Sequence, residues 1–163
     1  MMLGLSLHAV TVLHVVISLI GIVSGLVVLY GLFKSQSMPG MTAIFLITTI
    51  LTNATGFMFP FEKLLPSHVI AIISLVLLAI ACVALYGMKA SGAWRSIYVI
   101  TAITSLYLNV FVLVIQSFLK IPALTAVAPG NPPSGPVFAV VQGVVLVFFV
   151  LMIIGAVRRF RPA

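Results

Sequence analysis

Acidic residues are nearly absent: Glu62 is the single Asp or Glu in 163 residues. No carboxylate falls within a long apolar run, so the carboxylate relay usual in ion-coupled carriers is missing. Cysteine is as scarce. Cys82 stands alone in mid-run, excludes an internal disulfide and reads as an inert buried thiol. Charge of either sign is low, 6% of the chain against about 25% in an ordinary soluble domain. No polar segment is long enough for a soluble catalytic domain. HExxH, Walker, GxSxG and GxGxxG motifs are all missing, and so is any Cys–His metal spacing. Ser67 adjoins His68, but adjacency alone does not make a nucleophile and its base. No basic region precedes the first apolar run, which is also too long for a signal-peptide core, so it is expected to stay as an uncleaved first helix. No inverted repeat divides the chain into matching halves.

What fills the chain instead is hydrophobic residues, at 63%. This composition specifies an all-α polytopic membrane bundle, a single transmembrane domain over residues 1–163. A spanning helix needs about 20 mainly apolar residues. Five runs qualify, at about 6–32, 41–60, 67–88, 96–119 and 137–157. Their separators are "KSQSMPG", the Pro60–Pro66 segment, "KASGAWR" and a Pro-rich loop over 120–136 that is expected to be extended. The second run is rich in threonine; as a re-entrant segment it would leave four spans.

Basic residues supply the sidedness. With five spans, Lys34, Lys89, Arg95, Arg158, Arg159 and Arg161 share one side, and Lys63 and Lys120 the other, with Glu62 beside Lys63 as a solvated loop pair. The positive-inside rule then puts the N-terminus outside and the C-terminus in the cytoplasm. Tyr30, Tyr86, Trp94 and Tyr98 fall at the cytoplasmic interface as an aromatic belt. A net charge of +7 would suggest nucleic acid in a soluble protein, but here the charges sit at span ends and set topology.

This topology gathers polar residues in the outer half of the bilayer, within about 15 Å at 1.5 Å per residue. They are His8 and His14 on the first span, Thr52, Asn53 and Thr55 on the second, His68 on the third, Asn109 and Gln116 on the fourth, and Gln142 on the fifth. At 100° per residue, Thr101, Ser105, Asn109 and Gln116 fall within about 80°. Thr48, Thr52, Thr55 and Phe59 make a stripe, as do His14, Ser18, Gly21 and Gly25, and His68, Leu75, Ala79, Cys82 and Tyr86. Such stripes are expected to face the bundle. Each has a plainer reading. Gly21 and Gly25 form a GxxxG packing face, threonines bond back to their own helix, and Asn and Gln glue helices together. "NAT" at 53–55 lies in an apolar run and is discarded as a glycosylation site.

The expected function is binding of a cofactor or small molecule in this outer pocket. A b-type haem between His68 and either His8 or His14 is one form, a quinone or quinol held by Asn109, Gln116 and Gln142 another. A metal on His14 and His68 is a third. Transport of a small solute or ion is the alternative. So is a non-catalytic accessory role, with homo-oligomer or complex contacts through the Gly21–Gly25 face and the outer loop. A stand-alone enzyme is not expected. The segments "TTILTNATGFMFPF", "PSH" and "LYLNVFVLVIQSFLKIPAL" resemble small polytopic inner-membrane proteins of proteobacteria. The resemblance covers about residues 8 to 160, implies a bacterial inner-membrane location and carries no activity with it.

Overall fold

The structure, a computed structural model, is described over residues 4–59 and 66–161. Pro60, Glu62 and Lys63 lie outside the described residues. The rest forms six helices: α1 (Leu7–Phe33), α2 (Pro39–Gly56), α3 (Pro66–Cys82), α4 (Ala93–Lys120), α5 (Pro122–Val127) and α6 (Pro136–Arg159). Four begin at a proline, which fits the first helical turn because the missing N–H has no intrahelical partner there. The N–H of Ala9 donates to the Ser6 hydroxyl at 3.1 Å and caps α1. A five-residue π turn, Val83–Gly87, extends α3.

Four helical segments are long and apolar enough to cross a membrane: Leu7–Phe33, Pro66–Gly87, Ala93–Lys120 and Pro136–Arg159. This is consistent with a multi-pass membrane protein whose outer faces meet lipid. The 18-residue α2 is not among them, since Thr42, Thr48, Thr49, Thr52, Asn53 and Thr55 lower its hydropathy.

The long helices pack antiparallel. His14 meets Thr55, Gly21 meets Thr48 and Thr49, Gly25 meets Phe45 and Gly31 meets Met38. The α2 partner falls in number as α1 rises, so the two run side by side for about 26 Å. Asn53 with Ser74 and Phe57 with His68 pair α2 to α3 in the same sense. On α4 and α6 the pairs are Phe118 with Phe138, Phe111 with Gln142, Tyr107 with Phe149 and Tyr98 with Phe160. The apolar core, including Val28, Leu32, Phe45, Leu78, Ile103, Leu106 and Phe149, lies toward the end where α1 and α6 finish.

Several sequence expectations need correction. The loop after Lys120 is not extended throughout: α5 forms, and the Thr125 hydroxyl donates back to the Phe118 carbonyl at 2.8 Å. Tyr98 is not a belt residue, being 2% exposed, whereas Tyr30 and Tyr86 are exposed as expected. The buried face of α3 is His68, Ala71, Ser74, Leu78 and Ala81; Ala79 and Tyr86 are exposed and Cys82 only half-buried. The small residues Ala71, Ser74 and Ala81 let neighbours approach closely, and that decides the face where every side is apolar. The Gly21–Gly25 face is used inside the chain. A Cβ on Gly25 would stand 2.7 Å from Leu106 Cδ1 and 2.9 Å from Phe45, so at Gly25 this face is filled from within the chain.

Candidate functional site

The start of α1, the end of α2, the start of α3, the end of α4 and the start of α6 meet at one end of the bundle. His14 is half-buried there. The Thr55 hydroxyl donates its single proton to the Leu51 carbonyl at 2.7 Å. Thr55 Oγ1 also lies 2.8 Å from His14 Nδ1, and with the hydroxyl proton given to Leu51 it is the imidazole that donates. In that arrangement Nδ1 carries the proton and Nε2 presents a lone pair. Phe59 meets the ring edge-to-face at 5.3 Å. Lys120, at the end of α4, lies near enough for its charge to act on His14.

The other predicted residues are distributed as follows. His68 is buried and lies 5.4 Å from the Phe57 ring. Asn53 donates from Nδ2 to the Thr49 carbonyl at 2.8 Å and to Ser74 Oγ at 3.2 Å, joining α2 to α3. Thr52 is buried and donates to the Thr48 carbonyl at 2.7 Å. Gln142 is buried and donates from Nε2 to the Phe111 carbonyl at 3.1 Å, while its Oε1 has no partner among the described residues. Asn109 is buried beside Gly21, Thr48 and Thr49, and its Nδ2 is likewise unpartnered. His8 is exposed near the start of α1. Gln116 is exposed too, against expectation. Its helical phase matches Asn109, but in these last turns of α4 the buried side chain is Phe118, which packs on Phe138.

His14 and His68 are held from different sides of α2. His14 meets Thr55 and Phe59, His68 meets Phe57, and α1 and α3 share no packed face. Among the described residues, no group of three or more His, Cys, Asp or Glu is placed to hold a metal ion.

The opposite end holds what the sequence reading missed. A cavity of about 140 Å³ is lined by Val28 and Leu32 of α1, Gln36 to Met38 of the connecting turn, Pro39 and Thr42 of α2, Leu85 and Tyr86 of the π turn, Tyr98 of α4 and Phe160. Ser35 (φ 54°), just before the lining turn, and Lys89 (φ 53°) and Ala90 (φ 50°), just after the π turn, have left-handed backbone. "KSQSMPG" read only as a separator; Pro39 at the start of α2, with polar residues just before it, was the available signal. All six basic residues assigned to one side gather at this end. Arg95 donates from one guanidinium nitrogen to the Val157 and Phe160 carbonyls at 2.6 and 2.8 Å. The Arg161 backbone N–H donates to Ser35 Oγ at 2.7 Å, and Arg159 lies 5.8 Å from the Phe33 ring.

Fold and site together define an all-helical bundle with a polar end and a basic end. No protein family, curated protein or solved structure matches the chain. Its functional reading therefore rests on its own geometry.

Proposed function

We propose that this chain is a five-span protein of the bacterial inner membrane, with its basic end in the cytoplasm. Its polar end binds a small ring compound bearing hydroxyl donors, of the quinol class. The alignment of α2 with α1 over about 26 Å supports a fifth crossing, because α2 then covers most of the depth that α1 does. The gathering of six basic residues at one end supports the orientation.

The observation that carries the ligand reading is the Leu51–Thr55–His14 chain of hydrogen bonds. With Nδ1 donating to Thr55, Nε2 is left as an acceptor beside the Phe59 ring, which suits a ligand O–H. Lys120 nearby raises the local positive potential and favours partial negative charge on a ligand oxygen. The test is calorimetric titration of the purified protein with a short-tailed benzoquinol. Saturable binding is expected, lost in His14→Phe. Thr55→Val should weaken it about fivefold, the worth of about 1 kcal/mol for the orienting bond. Equal binding by the wild type and His14→Phe overturns the proposal.

A haem reading takes the same nitrogen as an axial ligand. Absorption spectra of oxidised and dithionite-reduced protein separate the two. A Soret band lost in His14→Phe moves the assignment to haem, and a colourless protein that binds quinol keeps it here.

A further inference from the structure

The cavity at the basic end has no part in the His14 site, and its lining is chemically specific. Thr42 is the one threonine of α2 whose hydroxyl is not given to a carbonyl of its own helix. Thr48, Thr49, Thr52 and Thr55 all bond back, at 2.6 to 2.7 Å. Thr42 is 6% exposed and Tyr98 2% exposed, and both line the cavity. The rest of the wall is mostly apolar: Val28, Leu32, Met38, Leu85 and Phe160. A volume of about 140 Å³ is close to that of cavities which take up a single benzene ring.

We infer that this cavity is a second binding site, for a neutral single-ring phenol. The apolar wall accepts the ring, and the Thr42 and Tyr98 hydroxyls meet its oxygen. Each hydroxyl can donate and accept, which matches a phenol oxygen that does both. An aromatic acid fits less well. No charged side chain lines the cavity, and the Arg95 guanidinium is committed to the Val157 and Phe160 carbonyls. A buried carboxylate there would lose its hydration without gaining a counter-ion. The π turn is what brings Leu85 and Tyr86 to the wall, and such turns inside α-helices recur at functional sites.

The test is ¹⁹F NMR of 4-fluorophenol with the full chain in detergent micelles, against empty micelles. A saturable shift beyond micelle partitioning is expected, weakened at least fivefold in Thr42→Val and in Tyr98→Phe. Val28→Phe, which fills the space, should abolish it. Fluorobenzene, which has the ring without the oxygen, should bind at least fivefold more weakly than 4-fluorophenol, and 4-fluorobenzoate more weakly still. Thr42→Val keeps the side-chain shape, and an unchanged thermal melt shows that it folds. The inference is overturned if 4-fluorophenol behaves alike with protein and empty micelles, or alike in wild type and a folded Thr42→Val. Tighter binding of 4-fluorobenzoate overturns the neutral-ligand assignment. Quinol binding at His14 is read in a separate titration, so either site can fail without the other.

Discussion

At the scale of single residues, most of the few polar side chains of the apolar runs turn inward. His14, Asn53, His68, Asn109 and Gln142 stand out in an apolar chain, and all are at least half-buried. What no pattern could give is the contact of His14 Nδ1 with Thr55 Oγ1, which couples the imidazole tautomer to where the hydroxyl sends its proton. We expect ¹⁵N NMR of histidine-labelled protein to show His14 protonated on Nδ1 and bare on Nε2, with the tautomers mixing in Thr55→Val. A bare Nδ1 in the wild type would contradict the assignment. Gly25 makes a second residue-scale prediction. Its missing Cβ is replaced by Leu106 and Phe45, both fully buried. Gly25→Ala should therefore destabilise the fold by about 1–3 kcal/mol, read as a lower midpoint in a thermal melt. Gly40, with nothing within 4 Å of its absent Cβ, should tolerate the same change. Thr42 and Tyr98 were missed for a physical reason. A threonine near a helix start and a tyrosine near a membrane interface are ordinary in sequence, and only packing shows that their hydroxyls face one space.

At the scale of helices, the reading was good for ends and poor for faces. Proline, glycine and the basic residues mark the boundaries through backbone chemistry, and the observed helices begin and end within a few residues of them. Faces depend on contrast between polar and apolar positions, and α3 offers almost none. Its buried side is set by Ala71, Ser74 and Ala81, where a neighbour can come close, and no hydropathy pattern records that. The loop after Lys120 shows the opposite failure: its prolines suggested extended chain, but Pro122 starts a short helix. The crossing of α2 is open to direct test. With Cys82 replaced, single cysteines at Gly40, Ser91 and Ser134 can be labelled with an impermeant thiol reagent, before and after cell lysis. Five spans put Gly40 and Ser91 together in the cytoplasm and Ser134 outside. A re-entrant α2 would place Ser91 on the opposite side from Gly40, and that outcome would sink the five-span topology.

At the scale of the whole molecule, the two ends are made differently. The polar end is held by hydrogen bonds among side chains and helix carbonyls. The basic end is held by an apolar core and by Arg95, which ties the last turn of α6 to α4. Arg95→Ala leaves the Val157 and Phe160 carbonyls without that donor. The loss is expected to be about 1.5–3 kcal/mol, as for hydrogen bonds to charged groups, and to fray α6 first. Faster hydrogen exchange at the last turn of α6 than at its middle would show this, and uniform protection would refute it.

The same arrangement has an electrical consequence. Among the described residues the basic end carries six cations and no anion, and the polar end carries Lys120. An energised bacterial membrane is negative on its inner face. Each elementary charge moved across it feels about 2.3 kcal/mol per 100 mV. In the proposed orientation, with the basic end inside, the resting voltage would hold the protein in place, and collapsing that voltage during synthesis should raise the fraction inserted upside down.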